Sequence, residues 1–134
     1  MSNANQDKGK RWERALRDYF RGRGIAAYRP AQEGRADVGD LHGLSPFVGQ
    51  AKDWADLAGA VRAGTDGAVD QATRAGEPFG VNLVKRRRAG PDRAYAVMTG
   101  DTFVRVLLRL RAAESLLAVL DPDRYADHLT KHGA

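Results

Sequence analysis

The alternation of helical and strand-like hydrophobic patterns is the feature that most constrains the fold of this chain. Helical segments show apolar residues three or four positions apart, whereas the strand-like segments are short, apolar and bounded by Gly or Pro. In chain order, the predicted elements are a helix at 8–22, strands at 25–30, 38–41 and 47–52, a helix at 53–75, strands at 79–87 and 93–100, and a helix at 101–120. This order predicts an α/β fold with a mixed β-sheet flanked by α-helices. Glycines at 64–67 predict a break in the second helix.

Size and composition indicate a chain that folds without covalent cross-links. A domain of 134 residues buries roughly two-thirds of the surface that its unfolded chain exposes. We therefore predict a single domain over 1–134, with a core at about 9–120 and a tail at 121–134. Because the sequence has no cysteine, disulfides and thiolate metal sites are excluded, and any metal must be held by oxygen or imidazole ligands.

The N-terminal residues and the apolar runs bear on localisation. The opening residues "MSNANQDKGKRW" are polar and lack the apolar stretch of a signal peptide. No apolar run approaches the length of a transmembrane helix. The sequence therefore predicts a cytoplasmic protein with no membrane partner.

Net charge is a weak indication of nucleic-acid binding. The chain carries 22 basic and 17 acidic residues, and 17 of the basic residues are arginine. Arginine suits bidentate contact with phosphate groups. A GC-rich genome also raises arginine, alanine and glycine together, so both explanations stay open and charge alone identifies no partner.

The first predicted helix has an apolar face and a basic stripe. Its apolar residues recur at helical spacing, and its basic residues Lys10, Arg14, Arg17 and Arg21 follow a second line along the same helix. Glu13 lies at the border of the apolar face. We expect its carboxylate to point toward the element on which the helix packs.

A carboxylate, an amide and an ammonium group are predicted to meet near the third strand. Alternation along 47–52 places Gln50 and Lys52 on one face of the sheet. Asp40, on the preceding strand of a hairpin whose turn is predicted at 42–46, comes alongside them. Hard oxygen ligands suit a divalent cation that polarises a phosphodiester, and a lysine stabilises the negative charge that develops there. The grouping therefore points to metal-dependent phosphodiester chemistry.

The same residues also have a purely structural interpretation. Asp40 is then a turn residue, and Lys52 is a strand-end cation whose ammonium group reaches solvent. Glu13 on the upstream helix, the basic stripe and the order of elements together favour the catalytic interpretation.

Several short motifs follow one another between Gly9 and Leu110. They are "GKRWERALRDYF", "VGDL", "FVGQAK", "DQA", "GVNLVKRR" and "YAVMTGDTF". In this order they resemble the PD-(D/E)XK nuclease superfamily, and within it the archaeal-type Holliday junction resolvases and their relatives in actinobacterial phages. "FVGQAK" takes the place of the acidic-x-Lys strand of the superfamily.

The resemblance implies a fold, a metal site and a substrate. The fold is a restriction-endonuclease-like mixed β-sheet flanked by α-helices, usually paired into a homodimer. Two active sites then cut two strands of a four-way DNA junction during recombination, in the host cytoplasm if a phage encodes the protein. Glu13, Asp40 and Gln50 would hold Mg²⁺, for which Mn²⁺ can substitute, with the carbonyl of Ala51 as a further ligand. Lys52 would be the catalytic lysine.

Gln50 departs from the superfamily pattern, which has Glu or Asp at this position. An amide oxygen ligates Mg²⁺ but contributes no charge, so metal affinity is expected to be lower. Asp37 is not expected to replace the missing carboxylate, because an odd offset from Asp40 places it on the opposite face of a regular strand. An enzyme with weak metal affinity is favoured. A nicking or restriction-type nuclease on the same fold, and a catalytically silent DNA-binding module, stay open as alternatives.

Further basic residues are predicted to contact the DNA backbone. Arg29 and Arg35 flank the polar segment "PAQEG", which we expect to become ordered when DNA binds. A run at a strand end is either a solvated charge cluster or a phosphate clamp. Its residues are Lys85, Arg86, Arg87 and Arg88.

Other side chains also have two interpretations each. Gln71 matches a polar position near the active site of related nucleases, but it is equally compatible with a solvated helix residue. Trp12 is expected in the core, whereas Trp54 is either packed or a base-stacking platform. The apolar surface of the helix at 101–120 is wider than one face, so it packs either on its own chain or on a partner chain.

Overall fold

Helices and strands alternate along the described part of this computed structural model, residues 4–31 and 37–133. The chain divides into two compact units, the first up to Thr99 and the second from Gly100. In the first unit the elements are α1 (Ala4–Gly22), β1 (Leu41–Leu44), β2 (Phe47–Lys52), α2 (Leu57–Ala75), β3 (Phe79–Val84) and β4 (Tyr95–Val97). The second unit comprises α3 (Gly100–Leu120) and α4 (Pro122–His132). The prediction of a single domain stays a prediction.

The four strands form one mixed sheet in the order β1-β2-β3-β4. β1 and β4 run antiparallel to their neighbours, whereas β2 and β3 are parallel and are joined through α2. Parallel neighbours need such a crossover because the end of the first strand and the start of the second lie at opposite ends of the sheet. The predicted mixed α/β sheet flanked by helices is confirmed at this level.

One layer of the core lies between α1 and the sheet. Its buried residues are Trp12, Leu16, Leu41, Val81 and Leu83. The indole Nε1 of Trp12 donates a hydrogen bond to the carbonyl of Leu83 at 3.0 Å, which fixes the helix on the central strand β3. The prediction that Trp12 belongs to the core is confirmed.

The other layer depends on small residues where α2 crosses the sheet. Ala60, Gly64 and Ala68 are buried at helical spacing. A Cβ added to Gly64 would lie 2.4 Å from the side chain of Asn82 on β3, so only glycine permits this approach. Asn82 in turn donates to the carbonyl of Ala60 at 3.1 Å. α2 is continuous, so the predicted break at 64–67 is wrong: Gly64 serves packing against β3 instead of interrupting the helix.

Four predicted strands differ from the structure. Those at 79–87 and 93–100 are shorter, as β3 and β4 show, and the two before β2 change more. Residues 25–30 pair with β1 only at one bridge, between Tyr28 and His42. A Cβ on Gly43 would lie 2.1 Å from the carbonyl oxygen of Ala26, so the two segments cross closely there rather than running side by side. β1 begins at Leu41, three residues later than predicted, and residues 42–44 of the predicted turn belong to the strand. The turn itself contains the cis peptide bond Ser45–Pro46.

The second unit is a pair of helices with several exposed apolar side chains. α4 occupies most of the predicted tail, and the side chain of Asp121 caps it by accepting from the backbone N–H of Arg124 at 3.1 Å. On α3, Leu116 is 63% exposed and Val119 is 80% exposed. Within residues 4–31 and 37–133, no helix combines the length and apolar composition needed to cross a membrane.

Candidate active site

The residues that the sequence singled out for catalysis lie around one cavity of the first unit. Its volume is about 470 Å³. Five of the side chains and backbone segments that line it are Glu13, Asp40, Gln50, Ala51 and Lys52. They come from α1, from the segment before β1, and from the end of β2. The structure thus brings together every residue to which a metal-binding or catalytic role was assigned.

Glu13 owes its position to its neighbour Trp12. The indole of Trp12 holds α1 on β3, and the next side chain along the helix lines the cavity together with the last residues of β2. The Glu13 side chain is 17% exposed, and its Oε1 accepts from Nε of Arg29 at 3.3 Å. The border position predicted for Glu13 is confirmed.

Asp40 is held beside β2 by two hydrogen bonds. Its backbone N–H donates to the carbonyl of Gly49 at 3.0 Å, and its Oδ2 accepts from the backbone N–H of Ala51 at 2.9 Å. The preceding Gly39 has a φ of +98°, and a Cβ there would lie 2.5 Å from Val48. Gly39 is therefore needed to bring Asp40 close to β2.

Burial dominates the electrostatics of Asp40. It raises the pKa of this carboxyl to about 6 from an ordinary value of 3.8, while the hydrogen bond from Ala51 acts in the opposite direction. The carboxylates of Glu13 and Asp37 raise the pKa further, and Lys52 lowers it. The site therefore concentrates negative charge in a partly desolvated place, where an added cation would be favoured.

A chain of side-chain amides links Gln50 to Asp37. In the orientation that satisfies its neighbours, the Gln50 nitrogen donates to Asp40 Oδ2 at 3.2 Å and to Oε1 of Gln71 at 2.5 Å. Nε2 of Gln71 then donates to Asp37 Oδ2 at 2.6 Å. Since Gln71 is only 2% exposed, its interpretation as a solvated helix residue is wrong.

Asp37 is the acidic residue that the sequence analysis undervalued. Strand alternation does not apply to Asp37, because residues 37–40 are not in a strand. Instead, Oδ1 of Asp37 accepts from the backbone N–H of Gly39 at 3.0 Å, which forms a tight turn and leaves Oδ2 for Gln71. The Asp-x-Gly sequence is the signal that could have indicated this turn.

Lys52 lies between the amide network and an aromatic ring. Its Nζ donates to the oxygen of Gln50 at 3.2 Å and lies 4.7 Å from the ring centroid of Trp54. The predicted alternation, with Gln50 and Lys52 on the same face, is confirmed by this contact. The ammonium group is thus held at the mouth of the cavity by two directional contacts.

The predicted DNA-binding residues fall into separate groups. Lys10 and Arg29 line a second cavity, of about 390 Å³, together with Glu13 and Asp40. Arg14 is exposed on α1, and Arg17 pairs with Asp18 at 3.0 Å. Arg35 lies outside the described residues. The run Lys85, Arg86, Arg87 and Arg88 lines a third cavity, which borders the first.

The donor set fits a hard divalent cation with few protein ligands. In the described ranges, no three His, Asp or Glu side chains converge as a metal site, so the protein would offer two carboxylates and the amide or carbonyl oxygens of Gln50 and Ala51. Rotating the Gln50 amide would turn its oxygen toward Asp40. That orientation becomes favourable only when a cation lies between the two oxygens.

Comparisons with protein-family models, with curated proteins and with solved structures find no significant match to this chain.

Proposed function

We propose that this protein is a Mg²⁺-dependent DNA endonuclease of restriction-endonuclease-like fold, related to the PD-(D/E)XK superfamily. The observation that carries the proposal is the convergence of Glu13, Asp40, Gln50 and Lys52 on one cavity, with Asp40 partly desolvated. Two hard anionic ligands and one lysine are what metal-dependent phosphodiester hydrolysis requires. The order of elements, with the lysine at the end of a central strand, is consistent with that superfamily.

The roles of the side chains follow from their positions. Glu13, Asp40 and the amide oxygen of Gln50 would hold the Mg²⁺ ion. When bound, the ion would polarise the scissile phosphodiester and lower the pKa of an attacking water. Lys52 Nζ, which lies over the ring of Trp54, would stabilise the negative charge that develops on the phosphate, and would exchange its contact with the Gln50 oxygen for the phosphate when that oxygen turns to the ion. Lys10 and Arg29 border the same cavity and would position the DNA backbone.

Four-way junctions are the substrate that we favour, with the protein acting as a homodimer. Paired cuts need two active sites, and the exposed apolar residues of α3 offer a surface on which two copies can associate. Specificity would then come from the shape of the DNA rather than from base sequence.

Cleavage of end-labelled DNA tests this proposal. A four-way junction, linear duplex and single strand are incubated with the protein in Mg²⁺ and in Mn²⁺. Paired symmetric cuts in the junction, lost in Asp40→Asn and Lys52→Ala, are the expected result. Cuts of equal efficiency in linear duplex would instead favour a nicking or restriction-type nuclease.

A catalytically silent DNA-binding module is the second candidate, and a specific observation favours it. The amide of Gln50 satisfies Asp40, Gln71 and Lys52 at the same time, which gives a stable arrangement without any metal. A silent module would bind the junction but cut no DNA in either metal, and its affinity would be unchanged or slightly higher in Asp40→Asn.

A further inference from the structure

Two exposed aromatic rings and a run of basic residues border a groove beside the candidate active site. We name it the aromatic–basic groove. Its volume is about 680 Å³, and the residues that define it are Trp54, Tyr95, Lys85, Arg86, Arg87 and Arg88. It shares Lys8, Asp53 and Trp54 with the cavity that contains Asp40 and Lys52. A ligand in the groove therefore reaches the candidate active site directly.

The aromatic rings of the groove are accessible to a ligand. Trp54 is 44% exposed and Tyr95 is 42% exposed, whereas the other tryptophan, Trp12, is buried in the core. A cation already lies over each ring: Nζ of Lys52 is 4.7 Å from the Trp54 centroid, and Cζ of Arg86 is 4.8 Å from the Tyr95 centroid. Such contacts keep the rings in place while leaving much of their surface uncovered.

The three arginines of the groove are not paired with carboxylates of the described residues. Among residues 4–31 and 37–133, no carboxylate lies within ion-pair distance of Arg86, Arg87 or Arg88. By contrast, Arg29 is paired with Glu13 and Arg17 with Asp18. Three guanidinium groups without carboxylate partners make the groove attractive to phosphates.

We propose that the aromatic–basic groove binds an unpaired strand of DNA, with bases stacked on Trp54 and Tyr95 and phosphates on Arg86, Arg87 and Arg88. In a duplex the faces of the bases are covered by their neighbours, so an aromatic side chain stacks readily only on unpaired bases. Combined with the proposed nuclease activity, on which this consequence rests, the inference implies a branched DNA substrate. In that substrate the strand next to the cut is unpaired.

Binding measured in EDTA tests the groove separately from cleavage. A short fluorescein-labelled oligothymidylate is compared with a DNA hairpin that has the same number of phosphates. The oligothymidylate should bind more tightly and should quench tryptophan fluorescence, which reports on Trp54 because Trp12 is buried. Trp54→Ala and Tyr95→Ala should each weaken its binding by at least about fivefold, the lower end of what one base stacked on an aromatic ring contributes. Both should leave hairpin binding nearly unchanged.

Control variants separate stacking from charge and from folding. Trp54→Phe keeps an aromatic face and should retain most of the affinity for the oligothymidylate. Arg87→Ala should weaken binding of both DNAs. Arg23→Ala should affect neither, since Arg23 follows the end of α1, whose last residue is roughly 21 Å from Lys8 along the helix axis. Thermal denaturation of each variant verifies that it is folded.

The results distinguish this inference from the proposed nuclease activity. Equal affinity of the wild type for both DNAs, or unchanged binding by Trp54→Ala and Tyr95→Ala, would overturn the inference, even if junctions are cut. Single-strand binding that depends on both rings, without cleavage in any metal, would support the groove and contradict the nuclease.

Discussion

The Oδ2 atom of Asp40 accepts a hydrogen bond from the backbone N–H of Ala51 at 2.9 Å. This contact joins the segment before β1 to the end of β2. The contact places a carboxylate against Gln50 and Lys52, although Asp40 and Gln50 are ten positions apart in the sequence. Burial partly desolvates that carboxylate, whereas the hydrogen bond from Ala51 favours its charged form. Burial thus disfavours the ionised form of Asp40 in the folded protein, and the first prediction below depends on this.

Asp40→Asn should abolish metal-dependent cleavage and stabilise the folded protein at neutral pH. The folded-state pKa of about 6 exceeds the ordinary value of 3.8, so ionised Asp40 disfavours the folded state. The contribution of Asp40 to the free energy of unfolding therefore falls as pH rises from about 4 to 6, and stays low above pH 6. Asparagine resembles the protonated acid and should add about 1–3 kcal/mol at pH 7. Urea denaturation at pH 7 and pH 4 measures the difference.

The pH dependence provides the control for Asp40→Asn. Near pH 4 the wild type and the variant should have similar stabilities, because Asp40 is then protonated in the folded protein. Asp70→Asn, which changes an exposed carboxylate on α2, should show no such pH-dependent gain. A variant that is less stable than the wild type at pH 7 would contradict the assignment of a desolvated carboxylate.

Gln50→Glu should increase metal affinity and decrease stability in the absence of metal. A third carboxylate beside Asp40 adds repulsion and removes the N–H that Gln50 donates to Asp40 and Gln71. A bound cation offsets both effects and stabilises the folded state by mass action. The rise in Tm produced by millimolar Mg²⁺ should therefore be larger in Gln50→Glu than in the wild type.

Salt at matched ionic strength is the control for the Gln50→Glu measurement. KCl should not reproduce the Mg²⁺-dependent rise in Tm. Adding Asp40→Asn to Gln50→Glu should remove most of it, since a ligand is lost. If Mg²⁺ stabilises the wild type and Gln50→Glu equally, position 50 does not face the cation.

Lys52→Ala should separate DNA binding from cleavage. In the mechanism that we propose, the ammonium group would stabilise charge that develops during the reaction, so its loss should lower the single-turnover cleavage rate by at least about 100-fold. Junction affinity in EDTA should change little, because many other basic residues are proposed to contact the backbone. Lys131→Ala, an exposed lysine on α4, should leave both quantities unchanged. Parallel losses of binding and cleavage would show that Lys52 only contacts DNA.

Val119→Glu and Leu116→Glu on α3 should shift the protein from dimer to monomer. Both side chains are more than half exposed, and a buried charge at a subunit interface strongly disfavours association. Sedimentation velocity at several protein concentrations measures the shift. Ala63→Glu, at an exposed position on α2, should leave the association unchanged. A wild type that stays monomeric at all concentrations would contradict the dimer.

Sequence patterns predicted the site best where the backbone is regular. Strand alternation placed Gln50 and Lys52 together because β2 is a regular strand, and helical periodicity placed Trp12 inside and Glu13 at the border. Asp37 was misjudged since Gly39, with its positive φ, interrupts the alternation before β1. Local patterns contain no information about such a turn unless the Asp-x-Gly motif is considered.

Contacts between segments that are distant in the sequence could not be predicted from local sequence patterns. The single bridge between Tyr28 and His42 replaces a predicted strand because the chain crosses Gly43 too closely to run alongside it. The burial of Gln71 depends on how closely α2 approaches the sheet, which no helical pattern specifies. The aromatic–basic groove likewise joins Trp54 to Tyr95, which lie 41 positions apart.

The close approach of α2 to Asn82 limits how this protein can be engineered for stability. Replacing a glycine inside a helix by alanine usually adds about 1 kcal/mol. Gly67 has no neighbour nearer than 3.9 Å, so alanine should give that gain there. At Gly64 the same change would collide with Asn82 at 2.4 Å and push the helix outward, and Gln71, two turns further along the same face, would move away from Gln50. A residue with no side chain thus sets the geometry of the catalytic centre that we propose.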